Sequence, residues 1–272
     1  MSDVAVEART VQASVIYMRK TAEKPVSETG GKDGLERRYT GAPDPHEVTI
    51  EDGRGRAFTL DGAGFELVDH PTAMRDFYDP VELERVYYPE MQGLIAARTG
   101  ARRVHIFDHT LRHSDEAVRL ERKIREPVRS VHNDYTEWSG PNRVREVLPD
   151  EADALLQRRF AIVQVWRATN TPIERNPLAI VDARSIAPED FIPAERRFPH
   201  RVGEIYMFQH NADHRWTWFD RMRRDEALVF KVYDSEKDGR ARWGAHTSFT
   251  DPATRADAPP RESIEIRAFA FF

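Results

Sequence analysis

Most of the sequence after residue 100 consists of short segments rich in β-branched and aromatic residues. In order they are RRVHIFDHTLR, VRSVHNDYTE, FAIVQVWRA, LAIVDARSI, GEIYMFQH, HRWTWF, EALVFKVYD, WGAHTSF and SIEIRAFAFF. Stretches such as HNADH and SEKDGR separate them, and their Asn, Asp, Gly and Ser residues favour turns. The pattern predicts a mainly β protein, a sandwich or barrel with helices packed on one side.

Helical apolar spacing occurs mainly before and between these strands. Residues 79–100 have Asp79 as a helix cap, Pro80 in the first turn and Gly100 as the stop. Residues 21–45 are rich in Gly, Pro and charge and read as a loop or flexible arm. We therefore predict an N-terminal strand and flexible extension over residues 1–50, and a single β domain with helical support over residues 51–272.

The composition excludes several kinds of function. The 272 residues include no cysteine, which rules out disulfides, thiolate nucleophiles, iron–sulfur clusters and cysteine-zinc sites. The net charge of −5 gives no electrostatic attraction to nucleic acid or to an anionic membrane. No signal peptide and no apolar run of about 20 residues is present. The sequence predicts a cytoplasmic protein without nucleic-acid or membrane partners, and it leaves the oligomeric state open.

The segment VRSVHNDYTEW places His132 and Asp134 two residues apart in a predicted strand, on the same side of the chain. An ordinary hydrogen-bonded pair and half of a metal site are both compatible with this spacing. Two histidines and one carboxylate bind one face of Fe(II) and leave the other positions open. His246, in WGAHTSFTDP, is the candidate for the third ligand, with His214 in NADHRWTWF as its rival.

A strand count supports His246. If GEIYMFQH and HRWTWF form one extended fifth strand of a jelly roll, His132 lies on strand two and His246 on strand seven. We predict that His246 faces His132 across the mouth of a double-stranded β-helix, the cupin-like jelly roll. Arg261 and Ser263 follow at the start of the last strand, and an arginine fork with a hydroxyl suits the far carboxylate of 2-oxoglutarate. Arg267 is the alternative anchor.

The layout His132-x-Asp134, His246, Arg261-x-Ser263 resembles the Fe(II)/2-oxoglutarate-dependent dioxygenases. More specifically, the chain resembles the CmcJ/NvfI-like oxidoreductases, which include AsaB-like hydroxylases and the fungal gibberellin desaturase. The resemblance extends from about Val48 onward. It rests on blocks such as GFELVDHPTAMRDFYD, VWRATNTPIERNPLAIVDARSI and HRWTWFDRMRRDEALVFKVYDS.

The resemblance implies a chemistry. His132, Asp134 and His246 would act as catalytic iron ligands, and Arg261 and Ser263 would bind the 2-oxoglutarate co-substrate. With O2, the enzyme would hydroxylate, desaturate or cyclise a small secondary metabolite through an Fe(IV)-oxo species. Five further residues are candidate substrate contacts: Arg112, Arg167, His214, Trp216 and Tyr233. For Trp216 the competing interpretation is core packing, and Arg167 lacks the proline that the resemblance leads us to expect soon after it.

Two other functions remain open at this point. The same three ligands could hold zinc in a hydrolase, for which Glu137 is the only nearby candidate base. A β-sandwich that binds a small ligand without turnover is the alternative from a different class.

Overall fold

In the computed structural model, which describes residues 9–30 and 36–272, two β-sheets pack face to face. The strands are β1 (Thr10–Arg19), β2 (Val26–Gly30), β3 (Glu36–Tyr39), β4 (Ala42–Asp52), β5 (Phe65–Asp69), β6 (Arg103–His113), β7 (His132–Asn133), β8 (Phe160–Ala168), β9 (Leu178–Val181), β10 (Phe191–Phe198), β11 (Arg201–Phe208), β12 (Trp216–Trp218), β13 (Glu226–Asp234), β14 (His246–Ser248) and β15 (Glu262–Phe271). The helical segments are α1 (Pro80–Glu82), a π-helical turn (Leu83–Tyr87), α2 (Tyr88–Thr99), α3 (Glu116–Arg122), α4 (Ser139–Val147), α5 (Ala152–Leu155) and two 3₁₀ turns (Ala183–Ser185 and Pro188–Asp190).

Eight of the strands form a double-stranded β-helix, as the sequence predicts. One sheet has the order β5-β13-β8-β15-β6, and the other contains the run β12-β9-β14-β7. If β6, β7, β8, β9, β12, β13, β14 and β15 are numbered one to eight, the first pairs with the eighth, the second with the seventh, the third with the sixth and the fourth with the fifth. This nested pairing is the topology of a jelly roll.

The predicted fifth strand is wrong, although His246 does lie on the seventh. GEIYMFQH belongs to β11, which pairs with β7 and β10, whereas HRWTWF contains β12, which pairs with β4 and β9. The hairpin β10–β11 is therefore an insertion between the fourth and fifth jelly-roll strands. Merging the two segments compensated for this insertion and kept the count correct.

The N-terminal region adds four strands to the larger sheet. β1 pairs with β4, β4 pairs with β12, and β2 pairs with both β10 and β3. The predicted loop or arm over residues 21–45 is thus wrong over residues 26–30, 36–39 and 42–45, which form strands, and residues 31–35 of that prediction lie outside the described residues. The edge strand β10 supplies backbone hydrogen-bond partners for β2, and β1 supplies them for the start of β4, so these polar segments become strands despite their composition. β4 also crosses the predicted boundary at residue 50.

The two faces of the five-stranded sheet differ in what covers them. On the outer face, Val163 and Val165 pack against Tyr87, Met91 and Ile95 of the helical region. The inner face contributes side chains such as Phe160, Ile162 and Phe230, which pack with Leu178 and Ile180 of the larger sheet. The site described below lies between the sheets.

The helix predicted over residues 79–100 is present. Asp79 accepts a hydrogen bond from the backbone N–H of Val81 at 2.9 Å, and Gly100 ends the helix at φ 75°. Within residues 9–30 and 36–272, no helix has both the length and the apolar character that crossing a membrane would need.

Candidate active site

His132 and His246 lie side by side on neighbouring strands. β7 pairs with β14 in antiparallel register, with His132 directly opposite His246, and directly opposed residues point to the same face of a sheet. Their ring centroids are 4.3 Å apart. The prediction that His246 faces His132 across the barrel is therefore wrong, because the second and seventh jelly-roll strands are partners in one sheet.

Asp134 completes a cluster of three possible metal ligands. One ligand atom from each of His132, Asp134 and His246 lies within 4.8 Å of the others, and the Asp134 side chain is 8% exposed. Asn133, buried between two of the ligands in sequence, donates from its amide to Val232 O and Tyr135 O and accepts from the N–H of Gly244. These bonds tie the segment that carries His132 and Asp134 to the residues just before His246.

Both imidazoles are oriented for metal binding. The Nδ1 atoms of His132 and His246 bond at 2.8 Å to the carbonyl oxygens of Ser130 and Gly244, respectively. With Nδ1–H donating to a carbonyl, Nε2 carries the lone pair that a metal requires. Burial lowers the pKa of His246 to about 4, with a further contribution from His132, so the neutral form dominates near pH 7.

The two oxygens of Asp134 have different partners. Oδ1 lies 3.3 Å from Nε2 of His132, while Oδ2 accepts from Gln164 Nε2 at 2.6 Å and from Arg267 Nε at 2.8 Å. Burial raises the pKa of Asp134, but the charge of Arg267 outweighs this effect and holds the pKa well below its usual range. Two imidazole nitrogens and one carboxylate oxygen therefore converge, which is a donor set that suits Fe(II).

Arg261 and Ser263 are both buried at the start of β15. Arg261 Nε donates to Ser263 Oγ at 3.0 Å, and Nη1 donates to Asn176 O at 2.7 Å. The guanidinium carbon lies 4.9 Å from the ring centroid of Trp166. Across residues 9–30 and 36–272, no carboxylate forms an ion pair with Arg261 and Nη2 makes no hydrogen bond. Burial lowers the pKa of Arg261, and the nearby charge of Arg112 lowers it further.

The other two arginines near the site are already paired with acids. Arg112 donates to both carboxylate oxygens of Glu265, at 3.2 and 2.8 Å, and to Glu126 O. Arg267 contacts Asp134, Asp108 and Glu265. Arg267, the alternative anchor for a co-substrate carboxylate, therefore has no free edge, whereas Arg261 does.

An open cavity of about 210 Å³ adjoins the three-residue cluster. Its wall includes His132 and Asp134, together with Ile205 and Met207 of the inserted hairpin and Tyr39 of β3. Arg112 also lines it. Because Met207 pairs directly with His132 in the sheet, its side chain lies on the same face and gives the cavity an apolar wall beside the ligands.

Trp216 and His214 lie on the wrong face for substrate contact. Thr217 of β12 pairs with Ile180, which pairs with His246, so Thr217 shares the face of the ligands and Trp216 points to the opposite side. There, Trp216 Nε1 donates to Tyr17 OH at 3.0 Å within a separate apolar cluster. His214 bonds to the same Tyr17 hydroxyl at 2.9 Å and to Asp190 at 3.1 Å, which also removes it as the rival third ligand.

Arg167 and Tyr233 are likewise placed away from the cluster. Arg167 lies on the outer face of β8, next to Tyr87, and donates to the carbonyls of His70 and Arg224. Tyr233 follows a β-bulge in β13 and packs in the core, with its ring centroid 4.9 Å from that of Phe160. The predicted substrate contacts of Arg167, His214, Trp216 and Tyr233 are not supported by these positions, while Arg112 stays a prediction.

The zinc hydrolase interpretation lacks its base. Glu137 is exposed and bonds to Lys237 at 2.8 Å and Arg242 at 2.7 Å, facing solvent rather than the ligands. Sequence reasoning also missed Gln164 and gave Arg267 a different role. The polar residue in the apolar segment FAIVQVWRA was the available signal for Gln164.

A jelly roll that presents two histidines and a carboxylate on one inner face, with further coordination positions open, defines the class of mononuclear non-haem iron oxygenases. Comparisons with known proteins narrow the class. A family model described as "Oxidoreductase/YMDC permease-like domain" matches residues 15–271.

Two curated relatives cover most of the chain. The "Alpha-ketoglutarate-dependent dioxygenase phiK" of Fungal sp. (strain ATCC 74256) is 33% identical over 236 residues, covering 84% of this chain and 85% of the relative. The "Fe(II)/2-oxoglutarate-dependent dioxygenase nvfI" of Aspergillus novofumigatus is 31% identical over 268 residues, covering 90% and 93%. The solved structure of the "iron and alpha-ketoglutarate-dependent endoperoxidase NvfI" superposes with a TM-score of 0.84 at 28% identity, covering 96% of this chain and 98% of that one.

The chain belongs to this family of Fe(II)/2-oxoglutarate-dependent dioxygenases. It is an oxidoreductase that uses Fe(II), 2-oxoglutarate and O2 to hydroxylate, desaturate or cyclise a small-molecule metabolite. Neither the zinc hydrolase nor the non-catalytic binding protein is favoured.

Proposed function

We propose that His132, Asp134 and His246 hold the iron, and that Arg261 and Ser263 bind the far carboxylate of 2-oxoglutarate. The convergence of the three ligand atoms within 4.8 Å is the observation that carries the metal assignment. Since both Nδ1 atoms are engaged by backbone carbonyls, the three free donor atoms point to one volume without any rearrangement.

The charge of Arg261 supports the co-substrate assignment. A buried cation without a partner is costly, and a carboxylate from a ligand relieves that cost. Arg112 and Arg267 already have carboxylate partners, so an incoming anion finds its best partner in Arg261. Ser263 Oγ accepts from Arg261 Nε and keeps its own hydroxyl proton for donation to the same carboxylate.

The substrate is proposed to occupy the cavity beside His132. Ile205 and Met207 give it an apolar wall, and Tyr39 is 42% exposed in its lining. An adjoining depression shares Asp134 and Arg267 and adds Trp138 and Val202, which are 53% and 48% exposed. Exposed large apolar side chains gathered beside a cavity are typical of a ligand-binding surface. They favour a substrate with a substantial apolar skeleton.

In the reaction, the bound iron and the oxo acid supply the oxidising power by activating O2, with release of succinate and CO2. The protein binds and orients. The two histidines and Asp134 fix the reaction centre, Arg261 sets the direction of the oxo acid, and the apolar wall at Met207 holds the C–H bond to be attacked and keeps water away. Relatives named hydroxylase/desaturase and endoperoxidase show that related sites support different outcomes. The outcome here depends on where the substrate carbon is held. The cytoplasmic location stays a prediction.

Anaerobic titration with Fe(II) and then 2-oxoglutarate tests the assignment. A weak absorption band near ~500 nm is expected for the wild-type protein, since an oxo acid chelating Fe(II) at open positions produces a charge-transfer transition. His132→Ala is expected to abolish it. A band of equal intensity in His132→Ala, or none in the wild type, would contradict the proposed ligands.

The substrate is then sought by O2-dependent succinate release. Amino acids, terpenoids and polyketides serve as the panel, and His132→Ala provides the blank. Stimulation by compounds with an extended apolar skeleton is expected. Stimulation by free polar amino acids alone would contradict the proposed cavity.

A further inference from the structure

The two oxygens of the Asp134 carboxylate are held unequally, and this difference concerns how the metal is bound. Oδ2 receives two hydrogen bonds, from Gln164 at 2.6 Å and from Arg267 at 2.8 Å. Oδ1 faces Nε2 of His132. A carboxylate can bind a metal through one oxygen or through both, so the partners of the second oxygen decide between these modes.

Gln164 is out of place for a residue that serves only the fold. It lies in the middle of β8, which is buried along its whole length, and its own side chain is fully buried. Its neighbours in sequence are Val163 and Val165, and burying an amide among apolar residues costs free energy unless its atoms are hydrogen-bonded. Oε1 of Gln164 has no partner in the part of the chain that the structure describes. Among the described residues, the bond from Nε2 to Asp134 is the one hydrogen bond that the side chain makes.

Arg267 lies directly opposite Gln164 across the sheet, on β15. Its Nη1 atom donates to Asp108 and Thr110, both at 3.0 Å, and Nη2 donates to Glu265. Glu265 in turn binds Arg112. This network fixes the guanidinium so that Nε has one direction available, toward Oδ2 of Asp134.

We propose that Gln164 and Arg267 are positioning residues that keep Asp134 a one-oxygen ligand of the iron. With both donors on Oδ2, that oxygen is held away from the metal and Oδ1 is presented to it. Two histidines and one oxygen then occupy three of six positions, which leaves two for 2-oxoglutarate and one for O2. A chelating Asp134 would take the position that O2 needs. The inference rests on the proposed iron ligands.

The direct test is the Fe(II) affinity of Gln164→Leu, measured anaerobically by competition with a chelating dye. Loss of a partner that orients a ligand weakens metal binding about 10- to 100-fold. Gln164→Asn, which keeps the amide but is one methylene too short to reach Oδ2, is expected to show the same loss. It also serves if the leucine variant fails to fold. Gln92→Leu is the matched control, because that glutamine lies on α2 and donates to Val104 O of β6, so its loss should leave the affinity unchanged.

The number of open coordination positions on the iron is measured separately, with nitric oxide in place of O2. The wild-type complex of protein, Fe(II) and 2-oxoglutarate is expected to bind nitric oxide. Gln164→Leu is expected to bind it about tenfold or more weakly, because Oδ2 of Asp134, now held by Arg267 alone, then competes with nitric oxide for the same position. The melting temperature of the metal-free variants shows whether the change is merely structural.

Three results overturn the inference: an Fe(II) affinity of both Gln164 variants within about threefold of wild type, unchanged nitric oxide binding, or a loss that only follows reduced stability of the metal-free protein. His132→Ala separates this failure from that of the proposed function. If His132→Ala binds Fe(II) as the wild type does, the ligands themselves are wrong, whatever Gln164 does.

Discussion

Replacing Arg261 by glutamine tests how the protein recognises 2-oxoglutarate. Arg261 is 2% exposed and forms no ion pair with any carboxylate of the described residues. Its Nη2 atom makes no hydrogen bond there, while Nε and Nη1 are engaged by Ser263 and Asn176. The free edge is the part that the oxo acid would use, and glutamine removes the charge but keeps part of the volume and a polar amide.

The expected loss of affinity follows from the strength of one charged hydrogen bond. Such a bond contributes about 1.5–3 kcal/mol, and a factor of ten in affinity corresponds to about 1.4 kcal/mol. The dissociation constant of 2-oxoglutarate is therefore expected to rise about 10- to 150-fold in Arg261→Gln. The iron affinity is expected to stay unchanged, because Arg261 does not contact His132, Asp134 or His246.

The effect on stability has a distinctive sign. Removing one partner of a buried ion pair usually destabilises a protein, but without ligand Arg261 has no such partner among residues 9–30 and 36–272. Burial already lowers its pKa, which means that the fold carries its charge at a cost. The metal-free and ligand-free variant is therefore expected to melt at or above the wild-type temperature, while stabilisation by added 2-oxoglutarate is lost.

The intensity of the ~500 nm band during anaerobic titration gives the dissociation constant of 2-oxoglutarate, and the rate of succinate release gives the KM for 2-oxoglutarate. Arg255→Gln is the control, since that arginine is exposed and pairs with Glu174 at 3.0 Å, so neither value should change. A dissociation constant in Arg261→Gln within about threefold of wild type would refute the reasoning and return attention to Arg267.

Three further predictions follow from other parts of the molecule. Trp216→Phe is expected to lower the free energy of unfolding by about 1–3 kcal/mol, because the hydrogen bond to Tyr17 is lost and the packing becomes imperfect. The KM for 2-oxoglutarate is expected to stay unchanged. Urea unfolding and succinate release measure the two quantities, and a raised KM would contradict the structural role of Trp216. Mn(II) at one hundred times its dissociation constant is expected to add about 2.7 kcal/mol of stability to the wild type and none to His132→Ala, and equal shifts in both proteins would count against the metal site. The metal-free protein is expected to lose stability as the pH falls below about 6.5. Burial lowers the pKa of His109 and His214 in the folded protein, so the unfolded chain then binds more protons than the folded one. A urea midpoint that is constant or rises between pH 7.5 and 5.5 would contradict this.

The chemistry of the site could be predicted from sequence because it depends on short-range patterns. The pair His132 and Asp134 stands out in an apolar segment, and Arg261 and Ser263 recur at the same spacing. The prediction of His246 rests on counting strands, and the count is correct because merging GEIYMFQH with HRWTWF offsets the inserted hairpin β10–β11. The structure brings the three predicted ligands together, and it leaves the role of Arg261 to be tested by its affinity for the oxo acid.

Substrate contacts could not be predicted in the same way, because alternation along a strand does not say which face is inside. Trp216 and Trp218 lie two residues apart in β12 and share a face, but the pairing of Thr217 with Ile180 and of Ile180 with His246 turns that face away from the site. The predicted substrate contact of Arg167 fails for the same reason. Neighbouring positions of a strand point to opposite faces of the sheet, so Arg167 lies on the face opposite to that of Trp166. Register is set by pairing between distant segments, which a single sequence does not show.

A polar side chain at the centre of a fully buried strand says more about function than the alternation of polar and apolar residues along a strand does. β8 and β15 are both apolar over most of their length, yet Gln164 and Arg267 occupy directly opposed positions in them. The fold alone would favour apolar residues at both positions, because an amide and a guanidinium lose their hydration there. Their shared partner is the second oxygen of Asp134. If the proposed ligands hold the iron, the sheet opposite them is shaped by the metal site as much as by packing, and the affinity of Gln164→Leu for Fe(II) measures how far that dependence reaches.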